Sequence, residues 1–393
     1  MKDYLYAIIT GRTTGVIPSL LIGLLTPLSY IYALVLKTRG WLYDCGFFKQ
    51  KQLPCGVISV GNIVAGGTGK TPVVIWIAKY LQSEGFQVAV LLRGYKRLGH
   101  HSISVISDGK GVLTTLTDSG DEADMIARKL PGVPVVVGSD RYAAGLEVIQ
   151  LWGNTEGVLI LDDGFQRRQL ARDLDILTID STQPFGTGKL LPAGTLREPK
   201  TALKRADILL LTRTDLAAES IDFEQFGQGK QAFRTCHQPT KLYQLSAGSD
   251  RSESSPIDRD RLERDEECAL DLLEGQHLLA VCGIGNPEAF AGTLRQCEPK
   301  AVELLAFPDH HRYSLGDLND ISARARDIGA NIVVTTEKDS QKLEAFVATT
   351  EFSLPESVQF FVLEIELEIR TNPDALKKRL YQIAAKPKSG LNE

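Results

Sequence analysis

The sequence predicts an α/β fold in which a mostly parallel β-sheet is covered by helices, followed by a second, smaller α/β domain. Short apolar runs alternate with helical segments between Cys55 and Asp215, and a second alternation follows a polar stretch at 246–275. The predicted strands are apolar along their whole length. Such strands belong to sheets with both faces buried, as parallel sheets are.

Composition places the chain among folded proteins without a nucleic-acid partner. Its 393 residues are 43% hydrophobic and 24% charged, with a formal net charge of -5, which fits two ordinary globular domains. A negative chain has no general attraction to nucleic acid or to anionic lipid. The six cysteines include no Cys-x-x-Cys pair, which argues against a zinc site or disulfide framework and for a reducing compartment.

The first element is an apolar N-terminal segment, residues 1–40. Val16–Leu36 carries no charge in 21 residues, and about 20 apolar residues suffice for a helix to cross a membrane. Pro18 and Pro27 favour the alternative of a helix that breaks at proline and lies in the membrane interface. A buried core helix is the third interpretation. We expect membrane contact, either monotopic or through this single helix.

The following elements divide into two groups. Strands are predicted at 57–60, 87–94, 133–138, 157–164, 173–180 and 206–215, with helices at 73–85, 120–130 and 139–153. After the charged stretch, which is typical of an exposed loop, strands are predicted at 277–287, 301–311, 331–339 and 360–367, with helices at 314–328 and from Pro373. These groups predict a larger domain at 41–240 and a smaller one at 241–393, with a substrate cleft between them.

A glycine-rich loop joins the first strand to the first helix of the larger domain. The segment SVGNIVAGGTGKTP, Ser59–Pro72, has Val64 where the usual pattern G-x-x-x-x-G-K-[ST] requires glycine. A longer loop can still expose its backbone amides, and the strand–loop–helix order favours a phosphate-binding loop at the start of a helix. In that role Lys70 would reach the phosphates and Thr71 would ligate Mg²⁺. The predicted phosphate-binding residues are Gly66, Gly67, Thr68, Gly69, Lys70 and Thr71.

A second motif, LILDDG, supports this interpretation. Asp162 and Asp163 follow an apolar strand, which is the position from which a carboxylate can hold Mg²⁺ beside a phosphate loop. Together the two motifs predict a P-loop NTPase-like sheet that binds ATP or GTP with Mg²⁺. They do not choose between a switch, a motor and a kinase.

Two polar clusters are candidates for acceptor chemistry. Asp121 and Glu122 open a predicted helix, where acids are usually caps, but a phosphoryl acceptor also needs a base or an orienting group. The adjacent His310 and His311 in FPDHH end a strand of the smaller domain, and no third ligand at metal spacing accompanies them. Basic residues near predicted strand ends could clamp a phosphate or be ordinary surface charges: Arg93, Arg141, Arg197 and Lys338.

The ordered set of strings in this chain resembles the tetraacyldisaccharide 4′-kinase (lipid A 4′-kinase) family. The strings are SVGNIVAGGTGKTP, LLRGY, GDEA, VGSDRYAAG, DDGFQ, RDLDI, LLPAGTLREP, GIGNPEAF, FPDHH and TTEKD. They extend from about residue 15 to about residue 340, and the Val64 irregularity is itself a feature of that family, whose loop starts at Gly61. One position departs, because Arg167 follows DDGFQ where the family commonly has histidine.

The resemblance implies an activity. The expected reaction is ATP-dependent phosphorylation of the 4′-hydroxyl of tetraacyldisaccharide 1-phosphate, which gives lipid IVA at the cytoplasmic face of the inner membrane. It implies Asp121 and His310 as a catalytic dyad with Lys70, and Gln166 and Arg141 near the phosphates or substrate. Its expected Mg²⁺ environment is Thr71, Glu122, Asp162 and Asp163. The expected partners are the lipid substrate and the membrane surface, with no nucleic acid, and the chain is expected to be a monomer.

Two other functions compete with the kinase. A deviant P-loop ATPase switch of the partitioning type, acting at the membrane, would need its signature lysine where this chain has Ala65. A non-enzymatic membrane adaptor would have no need of Lys70, Thr71 and Asp162.

Overall fold

The computed structural model describes residues 2–11, 13–94, 102–114, 120–217, 229–245, 267–349 and 358–386. The predicted charged loop therefore lies outside the described residues as far as residue 266. Its last part contains a two-residue strand and the short 3₁₀ helix Leu270–Leu273.

Nine helices lie in the described ranges, and the longest is N-terminal. They are α1 Lys2–Ile9, α2 Val16–Asp44, α3 Lys70–Ser83, α4 Asp121–Lys129, α5 Arg141–Trp152, α6 Pro287–Arg295, α7 Leu315–Asp327, α8 Glu337–Thr349 and α9 Pro373–Ala384.

Thirteen strands in the same ranges form one sheet. They are β1 Gly56–Gly61, β2 Val88–Leu92, β3 Ile103–Asp108, β4 Pro134–Gly138, β5 Val158–Asp162, β6 Leu174–Asp180, β7 Ile208–Thr212, β8 Gln231–Gln244, β9 Glu267–Cys268, β10 His277–Cys282, β11 Ala301–Ala306, β12 Ile332–Thr336 and β13 Gln359–Ile369. Their order is β11-β10-β12-β13-β8-β7-β6-β1-β5-β2-β4-β3, with β9 beside β8.

The first half of the sheet is parallel from β4 to β8, and only the edge strand β3 runs antiparallel. Its central strands are buried at every position, as their unbroken apolar sequences predict. The phosphate loop and the strand end at Asp162 therefore meet at one carboxyl edge, because β1 and β5 are parallel neighbours.

The second half is also mainly parallel and is continuous with the first. Strand β8 pairs with β7 through Gln231–Arg234 and then, from Thr235 onward, pairs antiparallel with β13. The predicted boundary between residues 240 and 241 thus falls within one strand. The closing helix α9 returns to the first half, where Leu376 and Leu380 join the core beneath α3.

Helix α2 is a single unbroken helix of 29 residues that continues through Pro27. The expectation of a break at proline is therefore wrong. The apolar window of this helix is only 6% buried, which also excludes a buried core helix. Its length of roughly 44 Å at 1.5 Å per residue would suffice to cross a membrane.

Candidate active site

The phosphate loop connects β1 to α3 in the predicted way. Gly66 and Gly69 have φ values of 124° and 77°, a region that residues with a Cβ rarely occupy. Before the loop, Gly61 packs so closely on Phe165 that an added Cβ would lie 2.5 Å from the Phe165 Cβ. These glycines allow the loop to turn tightly and to lead its backbone into the start of α3.

Val64, the irregular residue of the motif, anchors the longer loop. Its side chain is buried in an apolar cluster with Leu196, and the two residues form an isolated β-bridge. The neighbouring Ala65 amide donates to the Thr195 carbonyl at 2.7 Å. Asn62 supports the loop from within, since its side-chain amide donates to the Val64 carbonyl at 2.7 Å.

The two acids at the end of β5 have opposite electrostatic surroundings. Asp163 accepts two hydrogen bonds of 2.9 Å from Arg197 and lies 3.6 Å from the Lys70 ammonium. Burial alone would raise the pKa of Asp163, but Lys70 and Arg197 outweigh burial and hold that pKa below its ordinary value. Asp163 is therefore a carboxylate already paired with cations.

Asp162 lacks such partners. Its side chain is buried and its Oδ1 has no hydrogen-bond partner. Burial, followed by the nearby Glu122 carboxylate, raises the pKa of Asp162 to about 7, against the opposing effect of Lys70. A buried carboxylate oxygen without a partner beside a phosphate loop fits a Mg²⁺ ligand. The described residues contain no group of three His, Cys, Asp or Glu that could hold a metal by itself, and Mg²⁺ commonly binds through one or two carboxylates with phosphates and water.

Asp121 and His310 meet across the cleft between the two halves. Asp121 begins α4, and its carboxylate oxygens lie 2.9 and 3.2 Å from His310 Nδ1. His310 follows β11 with a left-handed φ of 62°, an uncommon conformation for a residue with a side chain, found repeatedly at functional sites. The two residues are 189 positions apart in the chain, so only the fold brings them together.

Two lysines of α8 surround the Asp121 carboxylate. Lys342 lies 3.1 Å from Asp121 Oδ2, and Lys338 bridges Glu122 at 3.4 Å and Asp309 at 3.2 Å. Burial alone would raise the pKa of Asp121, but the His310 hydrogen bond and both lysines outweigh burial and hold that pKa far below its usual range. Asp121 is thus ionised throughout the physiological pH range.

One cavity of about 1580 Å³ connects the phosphate loop with the dyad. Most of the predicted site residues line it: Gly66, Gly67, Thr68, Gly69, Lys70, Thr71, Asp121, Glu122, Asp162, Asp163, Gln166 and His310. Gln166 also steadies the loop, because its amide donates to the Asn62 carbonyl at 2.7 Å.

Arg141 is placed differently from the other predicted site residues. Its guanidinium donates to the carbonyls of Leu92 at 2.5 Å, of Gly138, and of Asp162 at 3.3 Å. It is buried and does not line the large cavity, and burial lowers its pKa to about 10. Arg141 therefore joins the carboxyl ends of β2, β4 and β5.

The adjacent histidines have separate surroundings. His311 stacks on Phe307 with ring centroids 4.6 Å apart, and its Nε2 lies 3.1 Å from Asp317. It packs within the second half, whereas His310 lines the cavity.

Sequence reasoning assigned no role to Lys342 or to the segment GIGNP. Gly285 packs so closely on the phosphate loop that an added Cβ would lie 2.4 Å from the Gly67 nitrogen, and the Asn286 amide donates to Asp180 at 2.8 Å. The glycine pair in GIG was the available signal for this close approach of two backbones. No sequence feature marked Lys342 in the same way, because the spacing of residues along a helix does not show which distant element a side chain contacts.

The comparisons with known proteins agree on one family. A sequence model described as tetraacyldisaccharide-1-P 4′-kinase matches residues 21–385. A tetraacyldisaccharide 4′-kinase of Syntrophus aciditrophicus is 42% identical over 332 residues, 81% of this chain and 84% of the relative. One from Halothermothrix orenii is 36% identical over 95% of this chain and 96% of its own length.

A solved structure is similar as well. It is described as the "apo" form of LpxK from Aquifex aeolicus in complex with ATP, with a TM-score of 0.67 and 31% sequence identity over 92% of this chain and 99% of that chain. The α/β fold with a phosphate loop, predicted from the sequence, is thereby confirmed.

Proposed function

This chain belongs to the tetraacyldisaccharide 4′-kinase family, and we propose that the Asp121–His310 dyad and the phosphate loop carry out its reaction at a membrane surface. It is an ATP-dependent kinase of lipid A biosynthesis. The reaction transfers the γ-phosphate of ATP to the 4′-hydroxyl of tetraacyldisaccharide 1-phosphate. The partitioning-type ATPase is not favoured by these comparisons.

The single observation that carries the site assignment is the Asp121–His310 contact of 2.9 Å. It lies in the same cavity as Lys70 and the loop glycines, so a donor phosphate and an acceptor hydroxyl could meet there. Phosphoryl transfer depends mainly on such positioning and on stabilisation of charge.

The donor side is formed by the loop and by the end of β5. The loop amides and the N-terminus of α3 would hold the phosphates, and Lys70 would exchange its contact with Asp163 for the β- and γ-phosphates. Thr71 and Asp162 would hold Mg²⁺, with Asp163 and Glu122 beside them; the ion supplies charge neutralisation on the phosphates.

The acceptor side is formed by the dyad. The Asp121 carboxylate accepts a hydrogen bond from the 4′-hydroxyl and aims its oxygen at the γ-phosphorus. In a loose transition state the hydroxyl keeps its proton until the new P–O bond forms, so a weakly basic carboxylate is adequate for orientation. The proton then passes to the Asp121–His310 pair, whose hydrogen bond fixes both groups.

The membrane is the expected location of the acceptor. A four-chain lipid remains in the bilayer, and the outward apolar side chains of α2 suit contact with it. We therefore place the enzyme at the cytoplasmic face of the inner membrane through α2.

The test measures transfer of label from γ-labelled ATP to purified tetraacyldisaccharide 1-phosphate in detergent micelles with Mg²⁺. We expect Asp121→Ala and His310→Ala to lower kcat by roughly 100-fold or more, while ATP affinity stays near that of the wild type. His311→Gln is the matched control, because His311 stacks on Phe307 and does not itself line the cavity. Unchanged turnover in the Asp121 variant, or no labelled lipid from the wild type, would contradict the proposal.

A further inference from the structure

Asp339 is a buried carboxylate that the reaction described above does not use. It lies in the first turn of α8, three residues before Lys342, and its side chain is 0% exposed. It does not line the large cavity, so it touches neither a substrate nor the reacting atoms. Burying a carboxylate costs free energy unless the group is paired and hydrogen-bonded. Its partners have to offset that cost.

Both carboxylate oxygens of Asp339 have partners. Oδ2 accepts from the Gly283 amide at 2.8 Å and from the Thr336 hydroxyl at 2.8 Å, and Oδ1 lies 3.3 Å from the Lys342 ammonium. The Thr336 contact is that of a helix cap, because the Asp339 amide donates back to the Thr336 hydroxyl at 3.2 Å. A cap alone would require neither the Gly283 hydrogen bond nor the ion pair.

The ion pair leads to one member of the dyad. Lys342 lies between two carboxylates, 3.3 Å from Asp339 and 3.1 Å from Asp121 Oδ2. A lysine side chain is a flexible four-carbon stem, and the contact with Asp339 restricts where its ammonium group can lie. The position of the Asp121 carboxylate therefore depends on Asp339 through Lys342.

The Gly283 hydrogen bond leads to the other member of the dyad. While the Gly283 amide donates to Asp339, the Gly283 carbonyl accepts from the His310 amide at 3.2 Å. The contact is tight, since a Cβ added at Gly283 would lie 3.1 Å from the Pro308 carbonyl oxygen and 3.3 Å from Asp339 Oδ1. His310 has a left-handed φ of 62°, a conformation that persists only where the surroundings hold it. Asp339 supplies part of that support through Gly283.

We propose that Asp339 is a positioning residue for phosphoryl transfer, which holds Asp121 through Lys342 and His310 through Gly283. This role rests on the function proposed above, in which the two members of the dyad act together. A misplacement of about 1 Å at a reacting group can lower a rate by roughly 100-fold. One carboxylate that is connected to both members keeps them at a fixed separation.

Asp339→Asn tests the Lys342 route. Asparagine has nearly the same shape and keeps one oxygen that can accept from Gly283 and Thr336, but its neutral amide cannot pair with the Lys342 ammonium. We expect kcat for tetraacyldisaccharide 1-phosphate to fall by about tenfold and KM for ATP to stay within about twofold, because the Gly283 hydrogen bond is kept.

Asp175→Asn is the matched control. Asp175 is also buried and is paired with Arg172 at 2.7 Å, so its loss tests the effect of removing a buried, paired carboxylate. It is the second residue of β6 and lies toward the amino edge of the parallel strands, whereas the site lies at their carboxyl edge. The control variant should keep the wild-type kcat.

A double variant separates positioning from a general loss of structure. In the Asp121→Ala background, Lys342 has no Asp121 carboxylate to position, so adding Asp339→Asn should lower the residual kcat by less than about twofold. A general disturbance of the fold would instead multiply the two losses. A further loss of about tenfold in the double variant would overturn the proposal.

Gly283→Ala tests the His310 route. The added methyl group would crowd the Pro308 carbonyl and Asp339 and should displace the turn that carries His310. We expect kcat to fall by about tenfold, and by less than about twofold when the same change is made in the His310→Ala background. A Gly283→Ala variant with the wild-type kcat would overturn this route.

The outcomes distinguish this role from the proposed function. If the wild type labels no lipid from γ-labelled ATP, the proposed function itself fails. If the wild type is active and Asp339→Asn keeps its kcat, the kinase assignment stands and Asp339 does not position the dyad.

Discussion

At the scale of single residues, the fold gives two adjacent aspartates of the site very different partners. Asp162 and Asp163 are neighbours, yet one is buried without a partner and the other is held by Arg197 and Lys70. A carboxylate without a partner is costly to bury. The fold retains this cost at Asp162, the carboxylate that we propose as a Mg²⁺ ligand.

Asp162→Asn should therefore stabilise the nucleotide-free, Mg²⁺-free protein while it removes activity. The folded-state pKa of Asp162 is about 7, above the unfolded value of about 3.9. Folding thus favours the protonated carboxyl group. The stability that this group contributes to the folded protein is lost as the pH rises through about 7. At pH 8 the asparagine variant should unfold at a higher denaturant concentration than the wild type, with a free energy of unfolding that is higher by roughly 1–3 kcal/mol. This difference in unfolding free energy should shrink toward pH 5. A less stable variant at pH 8 would contradict this account.

Lys342→Gln should impair turnover without impairing nucleotide binding. Lys342 joins Asp121 at 3.1 Å to the buried Asp339 at 3.3 Å, so it holds Asp121 in place. Its loss should lower kcat by roughly tenfold, because Asp121 is then less firmly positioned, and should leave KM for ATP unchanged. Lys342→Arg should restore part of the rate. A glutamine variant that keeps the wild-type kcat would contradict this positioning role.

At the scale of elements, the sequence predicted most of the strands, because buried parallel strands are apolar without interruption, but it did not predict the edge strand β3 or the helices α6 and α8. It missed β8, whose buried and exposed positions follow no regular pattern, because that strand serves two halves of the sheet. It also extended the strand prediction through TTEKD, whereas α8 begins at Glu337. The pairing of Asp121 with His310 came from the family resemblance, since no local pattern links residues so far apart.

Val64→Gly would make the phosphate loop conform to the usual motif, but we expect it to lower both the stability of the protein and its affinity for ATP. The substitution removes a buried side chain from the cluster with Leu196 and adds backbone freedom in the unfolded chain. We expect a loss of roughly 2–3 kcal/mol in unfolding free energy and a higher KM for ATP. Val64→Ile keeps the apolar anchor and is the control. Tighter ATP binding by the glycine variant would contradict the anchoring role.

At the scale of the whole molecule, the two halves are joined at the sheet and again across the cleft. Strands β8 and β13 make the sheet continuous. On the other side, ion pairs link α4 to the second half: Lys129 to Glu337 at 2.6 Å, Glu122 to Lys338 at 3.4 Å and Asp121 to Lys342 at 3.1 Å. The proposed dyad takes Asp121 from the first half and His310 from the second, so its geometry belongs to the assembled halves and to neither alone.

The membrane placement proposed above depends on α2, and the two faces of this helix can be tested separately. The inner face is attached to the body, since Ser29 donates to the Leu190 carbonyl at 2.9 Å and Tyr32 to the Arg197 carbonyl at 2.9 Å. The outer face presents apolar side chains that are 60–74% exposed: Leu20, Leu24, Ile31 and Leu34. An exposed apolar face of this extent is expected to bind a membrane.

Replacing those four outer residues with glutamine should detach the enzyme from membranes without unfolding it. Their side chains contribute little to the folded core, so the melting temperature and ATP affinity should hardly change. The variant should lose flotation with phospholipid vesicles, and its kcat/KM for acceptor in vesicles should fall by about tenfold or more. The control replaces four exposed leucines elsewhere, Leu146, Leu151, Leu272 and Leu315, and should float normally. If the α2 variant still floats with the vesicles, the outer face of this helix is not what holds the kinase at the lipid surface.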